Sequence, residues 1–453
     1  MKLKKVMALM LTMTLGLSMA GCGSSSSSVS STDTSGTETT TETRTDTEET
    51  TGDITGTITV LTNRTDLVDT SFAEYKKTFE EKYPGTEVKF EGITDYEGDV
   101  SIRMQTKEYG DVLMVPNNVK SNLLSTYFEP LGTVDELSEK YNKSYLYAKQ
   151  SDNVVYGLAS LVNVQGVVYN KKVFEAAGIT ELPKTPDEFL DALRKIKEKG
   201  ECENPYYTNY AAGWTLTQWQ DHAWGSCTAD PDYHNNVICN ERDPFTEGKS
   251  NYVVHKLLYD IIKEGLCEKD PVTTDWEASK GMLGRGEIGC MVLGSWAISQ
   301  MQDAAENPDD IGYMPFPYSI DGQQYATAGA DYCFGINKNS SNKATARAWI
   351  DFMVDESGYA LSQGGISIVK DAPLPDTLKD FTGIEYVIDN PATADNEGKT
   401  DILSNESEIN FYAEQEKQRI CEAAMGNTDE TFDEIMDDWN KRWAEALDEY
   451  VAE

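Results

Sequence analysis

Histidine is scarce. The 453 residues include only three, His222, His234 and His255, which leaves little room for imidazole-based acid–base catalysis. The chain contains no HExxH, no P-loop and no GxSxG, so zinc-protease, nucleotide-phosphate and nucleophile-elbow chemistry have no sequence support. Its eight cysteines form no CxxC pair and no Cys/His grouping at metal-ligand spacing. Neither a zinc site nor any other cofactor is expected from them. Basic residues are few as well: 39 Lys and Arg face 77 Asp and Glu, for a formal charge of −38. That balance excludes the basic face a nucleic-acid partner requires and the polybasic patch of a membrane-surface contact. It is the signature of a solvated acidic surface and names no ligand.

What is present begins with a secretory pattern. Lys2, Lys4 and Lys5 precede a short apolar run, Val6 to Leu17, which cannot span a bilayer. Ser18-Met19-Ala20-Gly21-Cys22 resembles the lipobox of bacterial lipoproteins, in which the cysteine thiol is diacylated and becomes the mature N-terminus. That family prefers Leu where Met19 stands. The expectation is a signal peptide over 1–21 and palmitate-type lipidation at Cys22, with the body held at the outer face of the cell membrane. Residues 22–52 are nearly all Ser, Thr, Gly and acidic side chains, a composition that buries nothing and is read as a disordered tether. Setting Cys22 aside leaves seven cysteines, an odd number whose connectivity sequence does not reveal.

About 400 residues follow, more than one hydrophobic core usually holds, so two lobes are expected. Gly56 to Leu61 alternates as a strand and ends in the polar loop Thr62-Asn63-Arg64-Thr65-Asp66. Ser71-Phe72-Ala73-Glu74 reads as a capping box opening a helix that Pro84-Gly85 stops. A strand at Thr86 to Phe90, a helix through Val100 and Met104, and a strand at Asp111 to Val115 ending in Pro116-Asn117-Asn118 complete a parallel α/β unit. Ligands of such sheets sit beyond the carboxyl ends of the strands, where both polar loops lie. Leu161 to Tyr169 is an apolar strand that carries Asn163 and Gln165 on one face. We read it as a crossing between lobes that shows Asn163 to a ligand, with Gln165 a satisfied core amide. Thr185-Pro186-Asp187-Glu188 starts a helix with buried Leu190, Leu193 and Ile196, ended by Gly200.

Tyr206, Tyr207, Tyr210, Trp214, Trp219 and Trp224 crowd one stretch, and Trp214 and Trp219 do not keep helical spacing. At least one of these rings is expected to face a ligand. In the last helix, Thr431 to Val451, Trp439 and Trp443 fall on a single apolar stripe and belong to the core. Gly284-Arg285-Gly286-Glu287-Ile288-Gly289 matches GxGxxG, but with a helix before and a strand after it is a tight turn, not a dinucleotide site. Two other readings are open. A carboxylate pair could serve a secreted glycoside hydrolase, and Tyr206-Tyr207 could bind ferric ion.

Several segments together resemble the family 1 extracellular solute-binding proteins of bacterial ABC importers, carbohydrate-type and maltose-binding-protein-like: ITVLTNRTD, GDVLMVPNN, YGLASLVNVQGVVYNKKVFEAAGI, PKTPDEFLDALRKIKE, GEIGCMVLGSWAIS and GADYCFGINKNS. The resemblance implies an α/β, two-lobed periplasmic-binding-protein-like fold of type II. Each lobe would be a mainly parallel sheet flanked by helices, and three hinge crossings would join the lobes. One lobe would comprise 53–161 plus 329–370 and the other 162–328 plus 371–453. It implies a monomer that captures a sugar or small oligosaccharide between the lobes, delivers it to the permease of an ABC transporter and catalyses nothing. By the same resemblance, Asn63, Arg64, Asp66 and Asn117 offer polar groups from the first lobe. Asn163 stands where sugar-binding members carry a carboxylate, Trp296 where they carry a stacking tryptophan, and Asp331 and Tyr332 at the second crossing. Trp214 and Trp219 complete the expected set, since a pyranose presents an apolar face to aromatic rings and hydroxyls to planar polar groups.

Overall fold

The computed structural model describes residues 52–452 apart from Asp95, Asn117 and Thr382. The signal segment, Cys22, the tether to Thr51 and the expected contact Asn117 lie outside the described residues. Strands β1 (Gly56–Thr62), β2 (Thr86–Gly92) and β3 (Val112–Val115) open the fold. β4 (Gly132–Thr133), β5 (Gln150–Ser151) and β6 (Val154–Val155) make a small separate sheet. β7 (Leu158–Ala159) and β8 (Val162–Asn170) follow almost without a break. Then come β9 (Asn204–Tyr206), β10 (Ile288–Gly294), β11 (Ile311–Met314), β12 (Tyr325–Ala330), β13 (Cys333–Ile336) and β14 (Glu385–Ile388).

Two large sheets result, ordered β2-β1-β3-β13-β7 and β14-β12-β8-β10-β9, with β11 also paired to β8. Both are mixed rather than mainly parallel. In the first, β1 pairs parallel with β2 and β3, while β13 runs antiparallel to β3 and β7. In the second, only β10–β9 and β12–β14 are parallel; β8 is antiparallel to β10, β11 and β12. The cause is topological. A strand that leaves one lobe and enters the other meets its new neighbours from the reverse direction.

The segment Gly329–Ser340 spans the end of β12 and the whole of β13, which belong to two different sheets. Asp331 and Tyr332 lie between β12 and β13, just as Ser160 and Leu161 lie between β7 and β8. The two crossings are bonded to each other, Ser160 N–H donating to the Tyr332 carbonyl at 2.9 Å and Asp331 N–H to that of Leu161 at 3.0 Å. Beside them, Val162 and Ile366 exchange both backbone hydrogen bonds at 2.9 Å. Gly365 lies so close that a Cβ there would stand 2.7 Å from a Leu161 methyl carbon.

The first helix covers Ser71–Lys82, but its capping box does not form. The chain enters through a turn in which Phe72 N–H bonds the Leu67 carbonyl and Ala73 N–H that of Thr70, so backbone takes the donors a side chain would have satisfied. At Pro186–Lys199 the Thr185 hydroxyl accepts from Glu188 N–H at 3.2 Å, and the Glu188 carboxylate reaches past the cap to Lys184 N–H. Gly200 ends that helix at φ 74°, the left-handed conformation only glycine adopts without strain. Trp439 and Trp443 are fully buried in the core of the second lobe. The GxGxxG segment is the expected turn from the helix Trp276–Arg285 through Gly286 into β10.

Candidate functional site

Polar residues follow β1 and β10 and open β8 beside the first crossing. In the first lobe, Asn63 follows the last residue of β1, and its Oδ1 is buried without a hydrogen-bond partner. Arg64 folds back on Asp66, with Nε–Oδ1 at 2.9 Å and Nη2–Oδ2 at 2.7 Å. Burial works against the Arg64 charge, and the Asp66 carboxylate together with the Tyr359 phenol more than offsets it. Arg64 in turn holds the Asp66 carboxyl below the usual range. The guanidinium is therefore a clamped, pre-oriented donor.

At the crossings, Asp331 accepts from Tyr332 N–H at 2.7 Å through Oδ1 and from Asn163 Nδ2 at 3.0 Å through Oδ2. Ser295 supports Asn163, its hydroxyl donating to Asn163 Oδ1 at 3.4 Å and accepting from Val164 N–H at 3.1 Å. The Tyr332 hydroxyl reaches Glu97 of the first lobe at 2.7 Å, and its ring stands edge-on to Tyr96. Burial, followed by that carboxylate, raises the Tyr332 phenol far above its ordinary value, so it stays a donor. A continuous polar chain, Glu97–Tyr332–Asp331–Asn163–Ser295, thus runs from the helix Tyr96–Arg103 through both crossings to the end of β10.

In the second lobe, Trp296 is the first residue of the helix following β10. Its ring centroid lies 5.7 Å from Trp214 and 5.8 Å from Trp276, and Trp214 and Trp276 are 5.0 Å apart. Trp214 is 38% exposed, and the Lys280 ammonium sits 5.0 Å from the Trp276 ring centroid. Trp276 was not anticipated. It opens its helix directly after the Asp275 cap, on the same face as the buried Ser279 and Leu283, so local pattern reads it as core and gives no signal of a cleft position.

Gln165 is the second omission. Its Oε1 is buried with no partner, which is not the satisfied amide expected. Gln165 pairs across to Gly294, where an added Cβ would lie 2.5 Å from Trp296 Nε1 and 3.2 Å from Gln165 Oε1. Gly294 is what lets indole and amide approach the same point.

Trp219 requires correction. It is 1% exposed in the second-lobe core, edge-on to Phe316, with Nε1 donating to the Tyr206 hydroxyl at 3.1 Å. The helix Trp214–Asp221 turns it inward while Trp214 faces out. Trp224 is likewise buried. The tyrosines proposed for iron are engaged in packing: Tyr206 with Trp219, and Tyr207 accepting from Asp275 N–H at 3.3 Å. Among the described residues no group of three or more His, Cys, Asp and Glu could hold a metal ion.

A surface cavity of about 570 Å³ lies at the other end of β8, around Asn170, Lys172 and Arg285. The cations lining it are already paired, Lys172 with Asp310, Lys199 with Glu201 and Arg285 with Glu287, so it presents no orphaned group comparable to those at the crossings.

Comparison with known proteins identifies the family. The chain is 24% identical over 353 residues to a multiple sugar-binding protein of Streptococcus mutans, covering 72% of this chain and 80% of that one. Among solved structures it is similar to an ABC-transporter binding protein of Bifidobacterium animalis subsp. lactis in complex with mannobiose. That match has 39% identity and a TM-score of 0.79 over 88% of this chain and 96% of the other. A manno-oligosaccharide-specific solute-binding protein of the same organism, in complex with mannotriose, matches at 37% identity and TM-score 0.79 over the same shares. Residues 65–360 match the bacterial extracellular solute-binding proteins, and the chain belongs to that family.

Proposed function

We propose that this protein captures a manno-oligosaccharide or a closely related neutral oligosaccharide between its lobes and hands it unmodified to an ABC permease. The observation that carries this is the cluster Trp214–Trp276–Trp296 standing beside the orphaned Gln165 Oε1 and the Asn163–Asp331 pair. Aromatic faces take the apolar side of a pyranose, and fixed amides and carboxylates take its hydroxyls. Asn63, Arg64, Asp66 and Asn117 would close over the ligand from the first lobe, and Tyr332 would contribute at the crossing. Closure would move 53–161 plus 329–370 against 162–328 plus 371–453. The likeness to proteins bound to mannobiose and mannotriose supports the ligand class. No chemical step is assigned, and the ligand is expected back intact. We also read the chain as a monomer anchored to the membrane through Cys22.

Calorimetry with mannobiose, mannotriose and raffinose tests this, with product analysis of the recovered sugar. Binding of a manno-oligosaccharide is expected. Trp296→Ala should weaken it by about 2 kcal/mol or more, roughly thirtyfold. Unchanged affinity in that variant, or a cleaved sugar, overturns the reading.

A further inference from the structure

The helix Trp214–Asp221 is buried on every side but one: Thr215, Leu216, Thr217, Trp219 and Gln220 are all covered. Trp214, Gln218 and Asp221, at spacings of four and three, share the remaining face. Trp214 belongs to the tryptophan cluster. Gln218 Oε1 is buried without a partner, and among the described residues no hydrogen bond is made to the half-buried Asp221 carboxylate. At 1.5 Å per residue, this face carries the site about 10 Å beyond Trp214.

The sheet brings a second set of groups to the same end. β14 pairs with β12 up to Ile388–Ala328, and β12 pairs with β8 at Gly329–Asn163. Asp389 therefore lies level with Asn163, two strands along. Its Oδ2 meets His234 Nδ1 at 2.6 Å, while its Oδ1 is buried without a partner. Tyr412, 55% exposed, lies within electrostatic reach of both Asp221 and Asp389, and its hydroxyl is tied to Trp224 Nε1 at 3.2 Å.

We infer that Gln218, Asp221, Asp389 and the Tyr412 ring form a further sugar subsite, which receives the third unit of an oligosaccharide whose first two rings lie along the tryptophans. The inference rests on the oligosaccharide reading above and extends it to chain length. Two orphaned acceptors, Gln218 Oε1 and Asp389 Oδ1, and the half-buried Asp221 carboxylate await hydroxyl donors, and an exposed ring offers an apolar face beside them. Continuity with Trp214 identifies the occupant as the same saccharide rather than a separate ligand.

Calorimetry of the full chain with mannobiose and mannotriose decides the matter. Tyr412→Ala, an exposed position, and the near-isosteric Asp221→Asn should each lower mannotriose affinity tenfold or more while leaving mannobiose within about twofold. Trp296→Ala should weaken both. Equal effects on the two sugars, or none, in Tyr412→Ala overturn the subsite without touching the general function. If the unmodified protein binds neither sugar, the general reading falls and this one with it. Thermal unfolding of each variant separates lost contacts from lost fold.

Discussion

Individual tryptophans illustrate how one residue type divides between packing and recognition. Trp219 and Trp276 are similar in hydropathy and differ in what their rings meet. Trp219 fills the second-lobe core, so Trp219→Ala is expected to destabilise the fold by about 3–5 kcal/mol. Trp276 meets other indoles at the cleft, so Trp276→Ala should leave the unfolding midpoint nearly unchanged and weaken sugar binding about tenfold. Denaturant titration and calorimetry on the two variants check the pair. A binding loss without destabilisation in Trp219→Ala would contradict its placement.

The buried histidines set a pH limit. His222 stacks on Phe316 at 4.2 Å and His255 bonds the Asn251 carbonyl, and burial pushes each down to about 3. A depressed folded-state value means stability that is present above about 6.5 and lost as pH falls from there toward 3. Each histidine should remove a few kcal/mol by about pH 4. Urea midpoints measured across this range test the effect. Replacing His222 by Phe should shallow the slope, and an unchanged slope would rule out His222 as its source.

At the level of elements, the crossings explain both the mixed sheets and the location of the site. β7 into β8 and β12 into β13 each end one sheet and begin the other, so their polar residues, Asn163, Asp331 and Tyr332, emerge where the lobes face each other. Polar groups on these segments that lack protein partners there are available to a ligand. The end of β10 is tightly packed. In Gly294→Ala the new Cβ would stand 2.5 Å from Trp296 Nε1, so the indole must shift. Sugar affinity should fall about tenfold, with the near-ultraviolet tryptophan spectrum altered and the far-ultraviolet spectrum retained. Wild-type affinity in this variant would show that the ring position at Trp296 is not needed.

At the scale of the whole molecule, the proposed anchor and tether would leave the two-lobed body free to turn toward a permease. Cys22→Ser should release the chain into the medium and abolish palmitate labelling; retention at the membrane would exclude a lipid anchor through that thiol. The acidic surface, at a net charge of −38, keeps such a body soluble and says nothing of the ligand.

The sequence by itself determined the α/β class and the polar strand ends, because alternation and turns are local properties of the chain, and its motif segments resembled the family to which the chain belongs. It also marked Trp439 and Trp443 as core, since a single helical stripe carries both. It misjudged Trp219 and Gln165 and passed over Trp276. Tertiary structure alone decided these. The three clustered tryptophans come from three separate helices, and Gln165 is defined as orphaned only by what packs across from it at Gly294. Local pattern reports which way a side chain leaves its own element, whereas a binding site is made by which elements the lobes bring face to face.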